Sequence, residues 1–408
     1  MGWMALAAQT VAIEFEGNTR TKSDFLLQVL GCCLDVYDED ALKAGLRRLK
    51  NLAVLAEANA EVSATDTLVR VVVKVEEAPV IWPILTFGGV EGNRWFMAGV
   101  SDFNTAGRAI QSTVFYRNID GEHNAFVSVD VPLMRQTRFG YGIEVQRYAA
   151  IEPLFFAAGA EGISYRYANF TFAPRVSYAF DFQHRVVFGL SYLHERYERV
   201  YEGSPTSLPF PTANAIKNKY VVNATHLLNR VNVFTEQREG WAVAQQFQLI
   251  NDVGTFANPF TVYWVEGQYF VRRGVFNLAL RGRLGVADNA VNPFAPFVLD
   301  SQLNIRGAGN RVDRGTATAV LNTELRCTVY RGDRFGFQAV GFSDLGNWRK
   351  PGGTLDELTK TENLQHFTGL GLRLFYTRSQ LALLRIDYGV NVQSTTQRGV
   401  VVGVGQFF

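Results

Sequence analysis

The sequence predicts an antiparallel transmembrane β-barrel of about sixteen strands, preceded by one small α+β domain. Three observations carry this. Apolar and polar residues alternate in segment after segment between positions 79 and 408. Aromatic residues and glycine are abundant, with 31 Phe, 16 Tyr and 37 Gly against only 4 Met. That balance suits aromatic girdles and a wall that bends around a crowded interior. Third, there is no apolar run of the ~18–20 residues that a membrane helix needs. The mean hydropathy of −0.01 is what alternating faces average to. Composition alone fits a soluble β-sandwich or propeller equally well, so the alternation must decide.

The chain reads in three parts. Residues 1–9 contain Ala5-Leu6-Ala7 followed by Ala8-Gln9, which reads as a residual signal-peptide-like segment with an Ala-x-Ala cleavage site. Residues 10–78 form the small domain. Thr10–Phe15 alternates Val11, Ile13 and Phe15 on one face, as a half-buried strand does, and Glu16-Gly17-Asn18 turns the chain. Thr21 to Asp24 has the cap-then-acid spacing of a helix start. Phe25, Leu26, Val29 and Leu30 supply its apolar stripe, and Gly31 ends it. Asp38 caps a second helix, with Glu39 and Asp40 in its first turn and Arg47, Arg48 and Lys50 in its last, as the helix dipole favours. Leu42, Leu46 and Leu49 lie on one face of it. Strands over Val54–Val62 and Leu68–Glu76 complete a β-α-α-β-β order, the second of them rich in valine.

From Pro79 onward, amphipathic helix signals nearly vanish. In Phe126–Leu133, Val127, Val129, Val131 and Leu133 oppose Phe126, Ser128 and Asp130. In Phe139–Gln146, Phe139, Tyr141, Ile143 and Val145 oppose Gly140, Gly142, Glu144 and Gln146. In Leu384–Val390, Leu384, Ile386, Tyr388 and Val390 oppose Arg385, Asp387 and Gly389. A wholly apolar face against a charged one, sustained over residues 79–408, is what a barrel with lipid outside and a polar lumen requires. Glu202–Lys219 and Ala287–Asp300 read as long outer loops, and Arg135–Thr137 as a short inner turn. Val400, Val402 and Val404 alternate toward Phe408, a final strand ending on an aromatic residue.

Several motifs together resemble a known family. The first is Phe15-Glu16-Gly17-Asn18 with Gly31, Tyr37 and Leu49 behind it, which is similar to the POTRA domain. Then come Ser101-Asp102-Phe103-Asn104-Thr105-Ala106-Gly107-Arg108, Ile305-Arg306-Gly307-Ala308-Gly309, Gly341-Phe342-Ser343-Asp344-Leu345-Gly346, and Leu384-Arg385-Ile386-Asp387-Tyr388-Gly389. In this order they resemble the BamA-type superfamily of outer-membrane assembly and translocation barrels across nearly the whole chain. The resemblance implies that the loop carrying Ile305, Arg306 and Gly307 folds back into the lumen. It also implies that Arg306 meets Asp344 on a wall strand that carries Phe342 and Gly346. Arg385 and Asp387 belong to the lumenal polarity. Val402, Val404 and Phe408 stand where the family's C-terminal strand signal lies. Ala308 departs from the pattern, since an aromatic is common there.

The expected function follows from the resemblance. It is assembly of client β-barrel proteins through a lateral seam, placed between the strand near Trp95–Ser101 and the strand ending at Phe408. A two-partner-type protein translocator and a passive porin are the alternatives. The implied location is the outer membrane of a Gram-negative cell, with the N-terminal domain in the periplasm. Implied partners are outer-membrane lipids, unfolded β-barrel clients, and accessory proteins or chaperones bound by strand addition to the POTRA-like sheet edge. A net charge of +2 shows no nucleic-acid footprint. His123, His184, His194, His226 and His366 lack metal-ligand spacing, and neither a phosphate loop nor a Gly-x-Ser-x-Gly elbow occurs. Cys32 and Cys33 are neighbours and a poor disulfide pair, and Cys327 stands alone. No catalytic residue, metal or cofactor is therefore expected, and the chain reads as a non-enzyme.

Overall fold

A computed structural model describes residues 10–31, 36–65, 67–90, 93–134, 137–154, 163–199, 215–254, 259–290, 295–309 and 313–408. The leader-like segment 1–9, Cys32 and Cys33 lie outside the described residues.

The small domain has the expected order: β1 (Thr10–Glu16), α1 (Ser23–Leu30), α2 (Glu39–Lys50), β2 (Leu55–Ala64) and β3 (Leu68–Glu77). β3 is central, parallel to β1 and antiparallel to β2. Phe25, Leu26, Val29 and Leu30 of α1 and Leu42 and Leu49 of α2 bury against Val69, Val71 and Val73. Each such side chain contributes ~1.5–3 kcal/mol by leaving water. Asp38 caps α2 by accepting from the N–H groups of Asp40 and Ala41. At Gly31 the backbone turns left-handed, φ 57°, and ends α1. The start of α1 differs from expectation. Lys22 is its N-cap and no side chain caps it. The Thr21 hydroxyl instead accepts from Asn104 Nδ2 at 2.9 Å, a partner on the barrel.

The barrel closes with sixteen antiparallel strands. These are β4 (Ile81–Val90), β5 (Asn93–Thr105), β6 (Ile110–Ile119), β7 (Glu122–Val131), β8 (Phe139–Leu154), β9 (Ile163–Ala179), β10 (His184–Arg199) and β11 (Ala215–Phe234). After them come β12 (Gln237–Gly254), β13 (Phe260–Arg273), β14 (Phe276–Ala287), β17 (Ala317–Arg331), β18 (Phe335–Arg349), β19 (Gln365–Tyr376), β20 (Leu383–Asn391) and β21 (Arg398–Val404). Short β15 (Phe297–Leu299) and β16 (Asp313–Gly315) pair with each other as the legs of a hairpin between β14 and β17. Phe139, Tyr141 and Ile143 point outward and are exposed, as are Leu384, Ile386 and Tyr388. Gly142 and Arg385 point inward beside charged partners.

Four expectations need correction. The first barrel strand is β4; Trp95–Ser101 lies within the second. Lys219 belongs to β11, not to a loop, and its ammonium meets Glu195 at 2.7 Å; residues 200–214 lie outside the described residues. The segment after Ala287 is no simple outer loop, because its described residues from 295 onward enter the lumen. The last strand stops at Val404 rather than running to Phe408. Gly405 takes φ 83° and its N–H bonds the Leu383 carbonyl at 2.7 Å. This turn sends Phe407 and Phe408 inside, where both are buried. Val400 and Val404 stay exposed on the outer face, while Val402 between them is buried.

The two faces of one strand give a test. Leu190 is exposed on the outer wall, and its neighbour Ser191 lines a lumenal cavity. Leu190→Arg is expected to cost ~2–4 kcal/mol of folding stability if near the bilayer midplane, whereas Ser191→Arg should cost far less. Urea unfolding in lipid vesicles reads the difference.

Candidate functional site

Four neighbouring strands bring charged side chains to one lumenal patch. β17 presents Asn322, Glu324 and Arg326 at every second position, β18 presents Asp344, β19 presents Arg373, and β20 presents Arg385 and Asp387. The tip of the hairpin, Ile305 to Gly309, presses onto this patch. Gly307 has φ 92°, and a β-carbon there would lie 2.7 Å from the Gly389 carbonyl oxygen. A β-carbon on Gly389 would lie 2.3 Å from that of Arg306. Only two facing glycines let the tip come this close.

Arg306 is fully buried, at 0 % exposure, together with Asp344, Glu324 and Asp387. Its Nε and Nη2 donate to the two Asp344 oxygens, each at 2.8 Å, and its backbone N–H adds a third bond at 3.0 Å. This is the bidentate geometry that a guanidinium favours. Nη1 donates to Glu324 and stands 3.8 Å from Asp387. The guanidinium lies between the Phe342 and Phe407 rings, 3.7 and 4.2 Å from their centroids. Asn322 donates to Asp344 and to the Asn304 carbonyl, both at 2.8 Å, and accepts from Arg281. Glu324 also accepts from Arg326 at 2.6 Å, and Asp387 from Arg373 at 2.7 Å.

The patch holds five buried guanidiniums, Arg281, Arg306, Arg326, Arg373 and Arg385, against three carboxylates, Glu324, Asp344 and Asp387. Buried cations without enough counter-charge are costly. Aromatic faces and carbonyls offset the excess. Phe407 stacks on Arg281, Arg306 and Arg385, and Phe408 on Arg281 and Arg326. Arg326 also donates to a backbone oxygen of Phe408, the last residue of the sequence, at 3.0 Å, and Arg281 to the Leu303 carbonyl.

Among the residues singled out in the sequence, the structure brings Ile305, Arg306, Gly307, Phe342, Asp344, Gly346 and Phe408 together. Ile305 is fully buried against Val320, Trp348 and Phe367, with Ala308 at its side. A β-carbon on Gly346 would crowd Trp348 and Ile305. Val402 and Val404 lie on the other face of the wall. Sequence reasoning missed Glu324, Asn322, Arg326, Arg373, Arg281 and Phe407. Period-two spacing in β17 was the available signal for Asn322, Glu324 and Arg326.

Ser101 to Arg108 does something else: it joins the small domain to the barrel. Arg20 pairs with Asp102 at 2.6 Å, Arg108 with Asp24 at 2.7 Å, and the Lys22 N–H bonds the Gly107 carbonyl at 2.9 Å. Phe103 packs on the small domain's core. Beside this joint, Glu77 accepts from the Thr19 hydroxyl and from the N–H groups of Arg20 and Thr21. Partial burial pushes its carboxyl up, but the bonds from Thr21, Thr19 and Arg20 outweigh that and hold it at about 2.

The Omp85 superfamily domain matches residues 128–408, and no curated protein matches the sequence. The chain is similar to the solved structure of BamA from Haemophilus ducreyi lacking POTRA domains 1–3. Identity is 14%, the TM-score is 0.52, and 97% of this chain and 84% of that one are covered. CdiB from Acinetobacter baumannii gives 11% identity and a TM-score of 0.61, covering 98% and 74%. CdiB from Escherichia coli gives 13% and 0.58, covering 98% and 76%. The fold and site thus define a closed sixteen-stranded outer-membrane barrel with an arginine hairpin in its lumen. The chain belongs to the Omp85 superfamily.

Because the Glu77 carboxyl titrates low when folded, its contribution is complete above the ordinary carboxylate range. It is lost as pH falls toward 2. Glu77→Gln should remove this dependence and speed amide hydrogen exchange at Arg20 and Thr21 at neutral pH. Unchanged exchange there would refute the role assigned to Glu77.

Proposed function

We propose that this protein is an outer-membrane assembly factor that inserts client β-barrel proteins through the seam between β21 and β4. The observation that carries the reading is the seam itself. Among the described residues, β21 meets β4 only through Val400–Gly89, Val401–Gly88 and Val402–Phe87. The adjacent β20–β21 ladder runs from Leu384 to Val390. Glycines Gly88, Gly89, Gly399 and Gly403 crowd the seam strands and weaken them. Strand length changes in the same direction. β21 has 7 residues and β11 has 20. Seven residues at ~3.3 Å each span about 23 Å before tilt, short of the ~30 Å hydrocarbon core. The bilayer must thin beside such a strand, and an opened edge there exposes unpaired backbone groups that a client strand can satisfy.

The hairpin bears on the same place. A β-carbon on Gly399 of β21 would lie 3.0 Å from the Gly307 carbonyl, so the tip fixed by Arg306 rests against the last strand. In this reading the small domain stands in the periplasm. β2 is an edge of its sheet, open to strand addition by clients or accessory proteins. No covalent chemistry is required.

A two-partner-type translocator is the second reading. It is favoured by a polar lumenal cavity of about 480 Å³, lined by Gln146, Ser191, Asn223 and Gln246 together with the charged Glu144, Arg175, Glu195 and Lys219, wide enough to admit an extended chain. A passive porin fits less well, since the hairpin crosses the lumen.

Depletion of the protein followed by outer-membrane proteomics separates these readings. Loss of many barrel proteins is expected. Loss of a single secreted protein would favour the translocator, and an unchanged proteome would exclude both. Arg306→Ala should abolish activity while the barrel still inserts. It strands Asp344 without the guanidinium that grips both its oxygens, at a cost of ~3–5 kcal/mol, while Glu324 keeps Arg326. Arg306→Lys, which cannot form the bidentate pair, should rescue little. Complementation of the depleted strain reads both.

A further inference from the structure

The returning leg of the hairpin carries an arginine of its own among the described residues. Arg314 in β16 is buried, and its Nη2 donates to the Glu152 carboxylate of β8, which is also buried. Around the barrel, β9 to β14 and β17 lie between β8 and β18 on one side, and β4 to β7 and β19 to β21 on the other. Seven strands separate them either way, so Glu152 and Asp344 stand on opposite walls. The wall around Glu152 carries a second buried carboxylate. Glu195 of β10 is buried nearby and is engaged by the Tyr167 hydroxyl at 2.9 Å, the Tyr197 hydroxyl at 3.3 Å and the Lys219 ammonium at 2.7 Å.

We propose that Arg314 and Glu152 form a second anchor, and that the hairpin is a strut with its tip held to one wall and its base tied across the lumen to the opposite one. Arg306 holds the tip to the wall that reaches the seam, and Arg314, two residues from the Thr316 N–H that bonds the Arg349 carbonyl of β18, reaches from the base across to β8. Each anchor holds the hairpin inside, because leaving drags a buried guanidinium off its carboxylate, and with one anchor lost the hairpin leaves for part of the time. Arg314 is thus a positioning residue that acts through the hairpin. The inference concerns how the lumen is kept closed and does not depend on which client the barrel handles.

Single-channel recording in planar bilayers tests it, using the full chain and the variants Arg306→Ala, Arg314→Ala, the double variant, and the swap Arg314→Glu with Glu152→Arg. Heat-modifiable gel mobility shows that each barrel is folded. The parent is expected to flicker at small conductance. Either single variant should raise the fraction of time open by about tenfold or more, as a loss of ~1.4 kcal/mol of closure would. The double variant should give a stable large conductance, and the charge swap should restore the parent trace. If Arg314→Ala does not fold, Glu152→Gln removes the same charge pair with little change of shape and should open the lumen equally. The proposal is overturned if the folded Arg314→Ala or Glu152→Gln barrel records like the parent, or if the double variant records like Arg306→Ala alone. It is overturned too if the charge swap fails to restore closure.

Discussion

The bond between Arg306 and Asp344 organises the lumen because both charges lie out of reach of water. Each is fully buried, and each would be expensive without the other. Bidentate geometry leaves the guanidinium a single orientation, edge-on to Asp344 and with its faces open. Those faces are then filled by Phe342 from the wall and Phe407 from the turn that ends the chain. One ion pair therefore sets the position of the hairpin tip, requires glycine at 307 and 389, and gives the turned-in residues after Gly405 a place to bury.

The excess of guanidiniums makes this arrangement conditional. A patch with five arginines and three carboxylates is held by π faces and carbonyls as well as by charge. Removing Phe407 from the lumen would uncover Arg281, Arg306 and Arg385 together. The tail, the tip and the wall are thus one cooperative unit, and its members are not expected to act additively. Movement of the seam strand that leads into the tail is felt at Arg306, through both Gly399 and Phe407.

How much of this is legible in the sequence depends on the range of the interaction. Period-two alternation is local, so spacing alone places Tyr141 and Ile143 outside and Glu144 inside. The helix cap at Asp38 is local as well. Arg306 and Asp344 pair by their motifs rather than by any local physics, since 38 positions separate them. The rest is hidden for physical reasons. Thr21 looks like a cap by spacing, but Asn104 of the barrel takes its hydroxyl. Val400 to Val404 reads as a strand running on to Phe408 because the backbone turn at Gly405 leaves no mark on alternation. Arg314 and Glu152 lie 162 positions apart, and only closure of the barrel brings them together.

Closure also explains why the strand pairing is uneven. A sixteen-stranded ring has one ladder that joins the first strand to the last. Here β21 is short, both seam strands carry paired glycines, and Val404 is followed at once by a turn into the lumen. Stability lost at the seam is offset inside, where buried charge pairs tie the hairpin to both walls. A ring braced across its diameter can tolerate a weak join in its circumference. That division, with rigidity in the strut and compliance in the seam, is what a barrel needs if its wall is to open without the whole fold coming apart.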